Sequence, residues 1–490
     1  MLFNSYVFIF CFLPVAIFVY FYLNKLRLPQ ASTSWLVFAS LFFYSWWNLA
    51  YLPLILTSVL FNFSITRIIT SYDEAKKNFF SKKTIFVFGL IFNLGLLGYF
   101  KYMDFFIENI NVAAGVKLPL LHLTLPLAIS FFTLQQIAFL VDSYEGLAKE
   151  GSFLDYAVFV TFFPQLIAGP IVHHSEMMPQ FSKLRNKVVN YKNIANGLAL
   201  FSIGLFKKVV IADTFAIWAN VGFDELQTLS FLEAWMTSLS YTFQLYFDFS
   251  GYTDMALGIA LIFNIQLPLN FNSPLKKTGM IDFWKNWHMT LTNFITTYIY
   301  TPINRSYQRL TFHKAMWATF LTFLIAGLWH GASWMFVIFG ALHGIGVVIN
   351  HYWKKTKIKI SKVLAWFITF NFVNFTFVFF RAHDMSDALK VLKGMGGLNG
   401  FSLPEMIASK LPVLKKYGLE FQPFMESIKF SWLIFVYIAL AFALVLIFKN
   451  SVDLIRQHQR SYKTAFYSSL LFFIGVMSMN RTSEFLYFNF

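Results

Sequence analysis

Long apolar runs separated by short polar or basic connections organise this chain. The first runs from Leu2 to Leu23, enough for one membrane-crossing helix of about 20 residues. It has no basic leading segment and no small-residue cleavage site, so it predicts a retained span rather than a signal peptide, with the N-terminus outside. Trp35 to Ile69 is long enough for two spans with a break near Trp46, Trp47 and Asn48. Thr84 to Phe100 predicts another. Further apolar runs follow near Leu123 to Val141, Ala157 to Ala168, Leu198 to Ile217 and Phe231 to Phe263, several of them shorter or more polar than a free-standing span. Beyond Trp317 to Trp329, the pattern becomes regular again, with spans near Val363 to Phe380, Trp432 to Phe448 and Ala465 to Met479.

The irregular middle carries two helix-breaking clusters: Pro164, Gly169 and Pro170 in FFPQLIAGP, and Asn264, Pro268, Asn270 and Pro274 in FNIQLPLNFNSP. Backbone leaves helical geometry at membrane depth only where protein or a water-filled cavity satisfies its hydrogen bonds. These clusters therefore predict re-entrant or broken helices around an internal cavity. Lys25 with Arg27, Lys76 to Lys83, Lys354 to Lys362 and Lys449 to Lys463 form basic clusters that mark four cytoplasmic connections. On that reading the polar stretch 381–426 and the tail 481–490 lie outside the membrane on the opposite face.

Composition agrees with lipid as the main solvent: 57% of residues are hydrophobic and 13% charged. The expected fold class is all-α, a polytopic protein in which the 490 residues form a single membrane domain. The net charge of +16 falls in the clusters between spans, which argues for membrane orientation and against nucleic acid as a partner. The single cysteine, Cys11, lies inside the first apolar run and excludes an intramolecular disulfide or a cysteine metal cluster. No metal site is expected.

Ionisable groups inside membrane segments are costly, which singles out His330 in GLWHGASWMFVIFGALHG. Gly327, Gly331 and Ala332 strip bulk from beside the imidazole, room that an acyl chain or a hydroxyl would use. A histidine can take the proton of a hydroxyl as its oxygen attacks a thioester. An interfacial histidine bonded to a backbone carbonyl is the plainer alternative. His288 lies in DFWKNWHMTLTNFITTYIYTPI, where Trp284, Trp287 and Tyr298 mix with Asp282, Lys285 and Asn286; the segment reads as an amphipathic or re-entrant helix, or as a membrane anchor. His343 reads as structural. In DFSGYTD, Asp248, Ser250, Tyr252 and Asp254 make a polar island suited to a buried network or to substrate contact. Lys207 and Lys208 are expected at the cytoplasmic interface, as orienting charges or as attractors of coenzyme A phosphates. A secondary transporter and a membrane scaffold are the rival classes. The chain shows no paired halves with matching interrupted spans, no Walker A loop, no GxSxG elbow and no HExxH pair.

DFWKNWHMTLTNFITTYIYTPI, AGLWHGASWMFVIFGALHG, LPLAISFFTLQQIAFLVD, FFPQLIAGPIVHHSEMMPQF, GLFKKVVIAD and YFDFSGYTDMALGIALIFNIQLPLNFNSP together resemble the bacterial membrane-bound O-acyltransferases over nearly the whole chain. The alginate and peptidoglycan O-acetyltransferases are the most similar branch, with AGPIVHHSEMMPQF leaning toward the peptidoglycan side. The resemblance implies about 11–13 transmembrane or re-entrant helices around a central tunnel. It implies His330 as the catalytic histidine and His288 as a second active-site residue. It further implies a multi-pass protein of the bacterial inner membrane, surrounded by lipid, with no permanently bound cofactor and acetyl-CoA as acetyl donor. A periplasmic acetyltransferase partner would then deliver acetyl to a cell-wall polysaccharide, peptidoglycan by resemblance, with alginate or another exopolysaccharide as the alternative acceptor. The tail SEFLYFNF resembles the C-terminal Phe-x-Tyr-Phe element of the small peptide that works beside the teichoic acid D-alanylation acyltransferase. That likeness implies a covalent relay through Tyr487, flanked by Phe485 and Phe488; a plain aromatic anchor at the interface is the alternative.

Overall fold

The computed structural model describes residues 1–73, 79–149, 151–405, 420–428, 431–457, 461–479 and 486. The chain is mostly helical. Among the described residues six helices are long and apolar enough to cross a membrane: Phe8–Lys25, Tyr51–Thr70, Lys82–Ala114, Tyr191–Glu225, Trp334–Thr356 and Lys362–Arg381. Two compact units are built from the chain, one from 1–205, 252–269 and 458–489, the other from 206–251 and 270–457.

In the first unit the break foreseen at Trp46 to Asn48 separates Pro29–Ser45 from Tyr51–Thr70, and the Asn48 side chain accepts the Ala50 N–H at 2.9 Å. Lipid provides no hydrophobic drive for helix association, so packing and interhelical hydrogen bonds hold the bundle. Asn62 and Asn93 exchange amide bonds at 3.1 and 2.6 Å, tying Tyr51–Thr70 to Lys82–Ala114. Gln136 donates to Ser58 at 2.9 Å and accepts from Tyr156 at 3.2 Å, adding Ile129–Tyr144 and Phe153–Thr161 to the same ladder. Protein hydrogen bonds tie both helix-breaking clusters into the bundle. The Phe163 N–H beside Pro164 donates to Ser40 Oγ at 3.1 Å. Asn264, left-handed at φ 62°, donates to the carbonyls of Asn186 and Val188 at 2.9 and 2.8 Å.

In the second unit three long helices begin at a side chain that accepts a first-turn N–H: Thr311 for Phe312–His330, Ser333 for Trp334–Thr356 and Ser361 for Lys362–Arg381. Such caps replace one of the hydrogen bonds a helix start lacks. The stretch 381–426 holds the helix Met385–Met395, capped by Asp384, and a parallel pair of strands, Ser402–Pro404 with Glu420–Gln422. This small sheet is the exception to the all-α expectation among the described residues. Lys390 fastens that helix to the Phe223 carbonyl at 2.6 Å, and Arg381 bonds Asn220 at 3.2 Å and pairs with Asp224.

Candidate active site

His330 is the last residue of Phe312–His330, and the chain turns back within Gly331, Ala332 and Ser333 into Trp334–Thr356. The two helices meet where neither side has a side chain: a Cβ on Gly327 would lie 2.7 Å from the Gly340 Cα, and one on Gly340 would lie 2.5 Å from the Phe323 carbonyl oxygen. A Cβ on Gly331 would fall 2.1 Å from the Phe336 ring. These glycines were expected to leave room for substrate beside His330. The space is instead filled by the partner helix and by Phe336, because close approach of the two backbones is what aims the hairpin.

His288 is fully buried and His330 is 5% exposed. Their ring centroids stand 6.4 Å apart at 56°. That exceeds what a direct hydrogen bond of about 3 Å between ring nitrogens permits. The Trp329 ring stands 6.3 Å from the His288 ring and 5.0 Å from the His330 ring. Phe249 meets the His288 ring edge-on at 4.8 Å, and Phe380 meets His330 at 5.1 Å, so aromatic faces surround the pair.

The segment around His288 is two short helices, Met280–Trp284 and Met289–Ile295, the latter continuing through a π turn at Thr296–Tyr300 into Thr301–Arg305. Trp284 and Trp287 are 4% and 5% exposed, so they are core residues of this unit, not interfacial anchors. His288 itself joins the helices in left-handed geometry, φ 43° and ψ 52°. Two backbone bonds clamp this corner to the broken segment: Met289 N–H to the Asn270 carbonyl at 2.9 Å, and Asn272 N–H to the Asn286 carbonyl at 3.0 Å.

Asn270 also sets the chemistry of the ring. Its Oδ1 accepts the Thr290 backbone N–H at 3.3 Å and the Thr290 hydroxyl at 3.0 Å, and lies 3.1 Å from His288 Nδ1. A backbone N–H can only donate, which fixes that amide atom as oxygen; Nδ1 of His288 must then carry the hydrogen. The neutral ring keeps its lone pair on Nε2. From the sequence Asn270 was only a helix-breaking residue, and the Asn-rich run FNIQLPLNFNSP was the sole signal available.

His343 is tied at both ring nitrogens. Trp284 Nε1–H donates to Nδ1 at 3.0 Å, so Nε2 carries the hydrogen and donates to Thr376 Oγ1 at 2.8 Å, whose own hydrogen goes to the Val373 carbonyl. This chain fixes the Met280–Trp284 helix against Trp334–Thr356 and Lys362–Arg381. Lys208 corrects an expectation: it is 2% exposed rather than interfacial, and its ammonium lies 2.8 Å from Asp213 and 2.6 Å from Asp248. Two carboxylates already hold that charge, so coenzyme A phosphates do not compete for it. Lys207 reaches Ser451 at 3.4 Å and lies over the Tyr246 ring. Tyr487, Phe485 and Phe488 lie outside the described residues.

Helices long and apolar enough to cross a membrane, together with a buried histidine pair in the second unit, define an integral-membrane protein with an internal histidine site. The chain belongs to the MBOAT, membrane-bound O-acyltransferase, family, whose model matches residues 17–383. It is an acyltransferase. It is 46% identical to the "Peptidoglycan O-acetyltransferase" of Helicobacter pylori, over 100% of this chain and 98% of that protein. It is 34% identical to the "Probable alginate O-acetylase AlgI" of Pseudomonas aeruginosa, over 85% of this chain and 78% of that protein. A more distant relative is the "Teichoic acid D-alanyltransferase" of Streptococcus thermophilus, 26% identical over 52% of this chain and 68% of that protein.

Proposed function

We propose that this acyltransferase takes acetyl from cytoplasmic acetyl-CoA and carries it across a bacterial inner membrane for O-acetylation of peptidoglycan. The observation that carries the choice of acceptor is the 46% identity to a peptidoglycan O-acetyltransferase along the full length of both chains, against 34% over a shorter span for the alginate relative. The whole chain, 1–490, works in this reading as one acyltransferase domain. His330 is the general base: it takes the proton of an acceptor hydroxyl as the oxygen attacks the thioester carbonyl, and the thiolate leaves and is reprotonated as coenzyme A. His288, whose Nε2 is left as an acceptor by the Asn270 bond, holds the hydroxyl on its approach. The neighbouring, buried placement of the two rings, with centroids 6.4 Å apart, supports their acting on one substrate group. A deletion strain tests the acceptor: ester-linked acetate should fall on purified peptidoglycan and stay unchanged on secreted polysaccharide. The reverse pattern would favour an exopolysaccharide.

The acceptor hydroxyl at His330 is the phenol of Tyr487, which forms an aryl acetate and passes acetyl to a periplasmic transferase partner. A phenol has a pKa of about 10, below that of a sugar hydroxyl, so its ester gives up the acyl group more readily. Coenzyme A then stays on its own side of the membrane. Tyr487→Phe removes one oxygen and keeps the aromatic bulk. Envelope acetylation should be lost in that strain; full acetylation would leave Tyr487 as an interfacial anchor.

A further inference from the structure

The first unit carries a groove of about 1020 Å³ that has no part in the histidine site. Its volume lies at the top of the roughly 300–1,000 Å³ that small-molecule sites occupy. One wall is Phe8–Lys25, through Leu13, Ile17 and Phe21; the other is Tyr191–Glu225, through Ile194, Leu198 and Phe201. From Ile9 to Lys25 the groove follows the helix for about 24 Å at 1.5 Å per residue. That is close to half of the roughly 40–45 Å bilayer with its headgroups, the length of one phospholipid from headgroup to chain end.

Polarity along the groove is one-sided. Lys25, Arg27 and Lys187 line the end where Phe8–Lys25 finishes, with Asn24 beside them, and none of the described lining residues is acidic. Among the described residues no carboxylate pairs with these three cations. Arg27 stands in left-handed geometry at φ 60°, two residues beyond the helix end, where glycine or asparagine is the easier choice. Long cations at the end of a membrane span lie at headgroup level, with the apolar stretch of the span in the hydrocarbon.

We propose that this groove is a binding site for one anionic diacyl phospholipid, its phosphate held by Lys25, Arg27 and Lys187 and its chains lying along Leu13 to Phe21. Native mass spectrometry of the purified full-length protein, titrated with phosphatidylglycerol and separately with phosphatidylcholine, tests it. One phosphatidylglycerol should saturate the protein ahead of further, weaker additions, and phosphatidylcholine should not. Since a basic residue near an anionic headgroup contributes roughly 1 kcal/mol, each of Lys25→Gln, Arg27→Gln and Lys187→Gln should weaken phosphatidylglycerol binding about fivefold. Leu198→Trp, which fills the apolar wall, should abolish the saturable step with the cations intact. Monodisperse elution and an unchanged Tm confirm that each variant is folded. Equal affinity for the two lipids, or glutamine variants that bind like the parent, would overturn the proposal, as would a polypeptide found in place of lipid.

Discussion

At His288 a non-glycine residue holds the left-handed conformation, which costs about 1–2 kcal/mol relative to the right-handed one. The Met289 and Asn272 backbone bonds on either side hold it there, and Asn270 reads the resulting ring orientation through a single oxygen. Asn270→Leu removes that oxygen while keeping the side chain's bulk. Acetyl transfer by membranes carrying the variant should fall by about a hundredfold, in the range general acid–base groups supply. Asn270→Asp still accepts from Nδ1 and should recover part of the loss at equal protein level; a purely structural role for Asn270 would show in protein level rather than in rate. The prominence of His330 was legible in the sequence because a histidine at the end of an apolar run has few reasons to be there, while His288, in a mixed polar and aromatic segment, stood out only through the family resemblance. The bond that selects the tautomer was not, since residues 18 apart in sequence meet only after the broken segment folds back. Lys208 was misread because a lysine pair beside an apolar run reads as interfacial orienting charge, while the carboxylate that buries it, Asp248, comes from a distant helix.

Among the elements, the Phe312–His330 and Trp334–Thr356 hairpin bears most directly on the site, because its tip carries His330. Its crossing depends on Gly327 against Gly340, a contact that admits no side chain on either helix. Gly340→Leu would force the backbones apart at that point. The expected outcome is a lowered protein level or Tm and loss of acetyl transfer, with overpacking costing about 1–3 kcal/mol. A Gly340→Leu protein with the parent's Tm and activity would show that the crossing tolerates a wider gap. Spans and breaks were largely readable from hydrophobic periodicity: the break at Trp46 to Asn48 and the ends of Lys362–Arg381 fall within a few residues of expectation. The short helices around His288 were not, because their tryptophans carry the signature of an interfacial anchor and only tertiary packing buries them. The strands at Ser402–Pro404 and Glu420–Gln422 are three residues each, too short for any alternation to register.

For the molecule as a whole, the family relation and the buried histidine pair carry the proposal of a lipid-embedded acyltransferase whose internal base activates a hydroxyl against a thioester. In that proposal His330 does this chemistry. The most direct measurement is ester-linked acetate on peptidoglycan purified from a deletion strain complemented with His330→Ala, with the variant shown by quantitative immunoblot to reach the parent's level in the membrane. Acetate should fall by at least about a hundredfold, to the level of the uncomplemented strain. Acetate at the level of the strain carrying the unaltered protein would contradict the account.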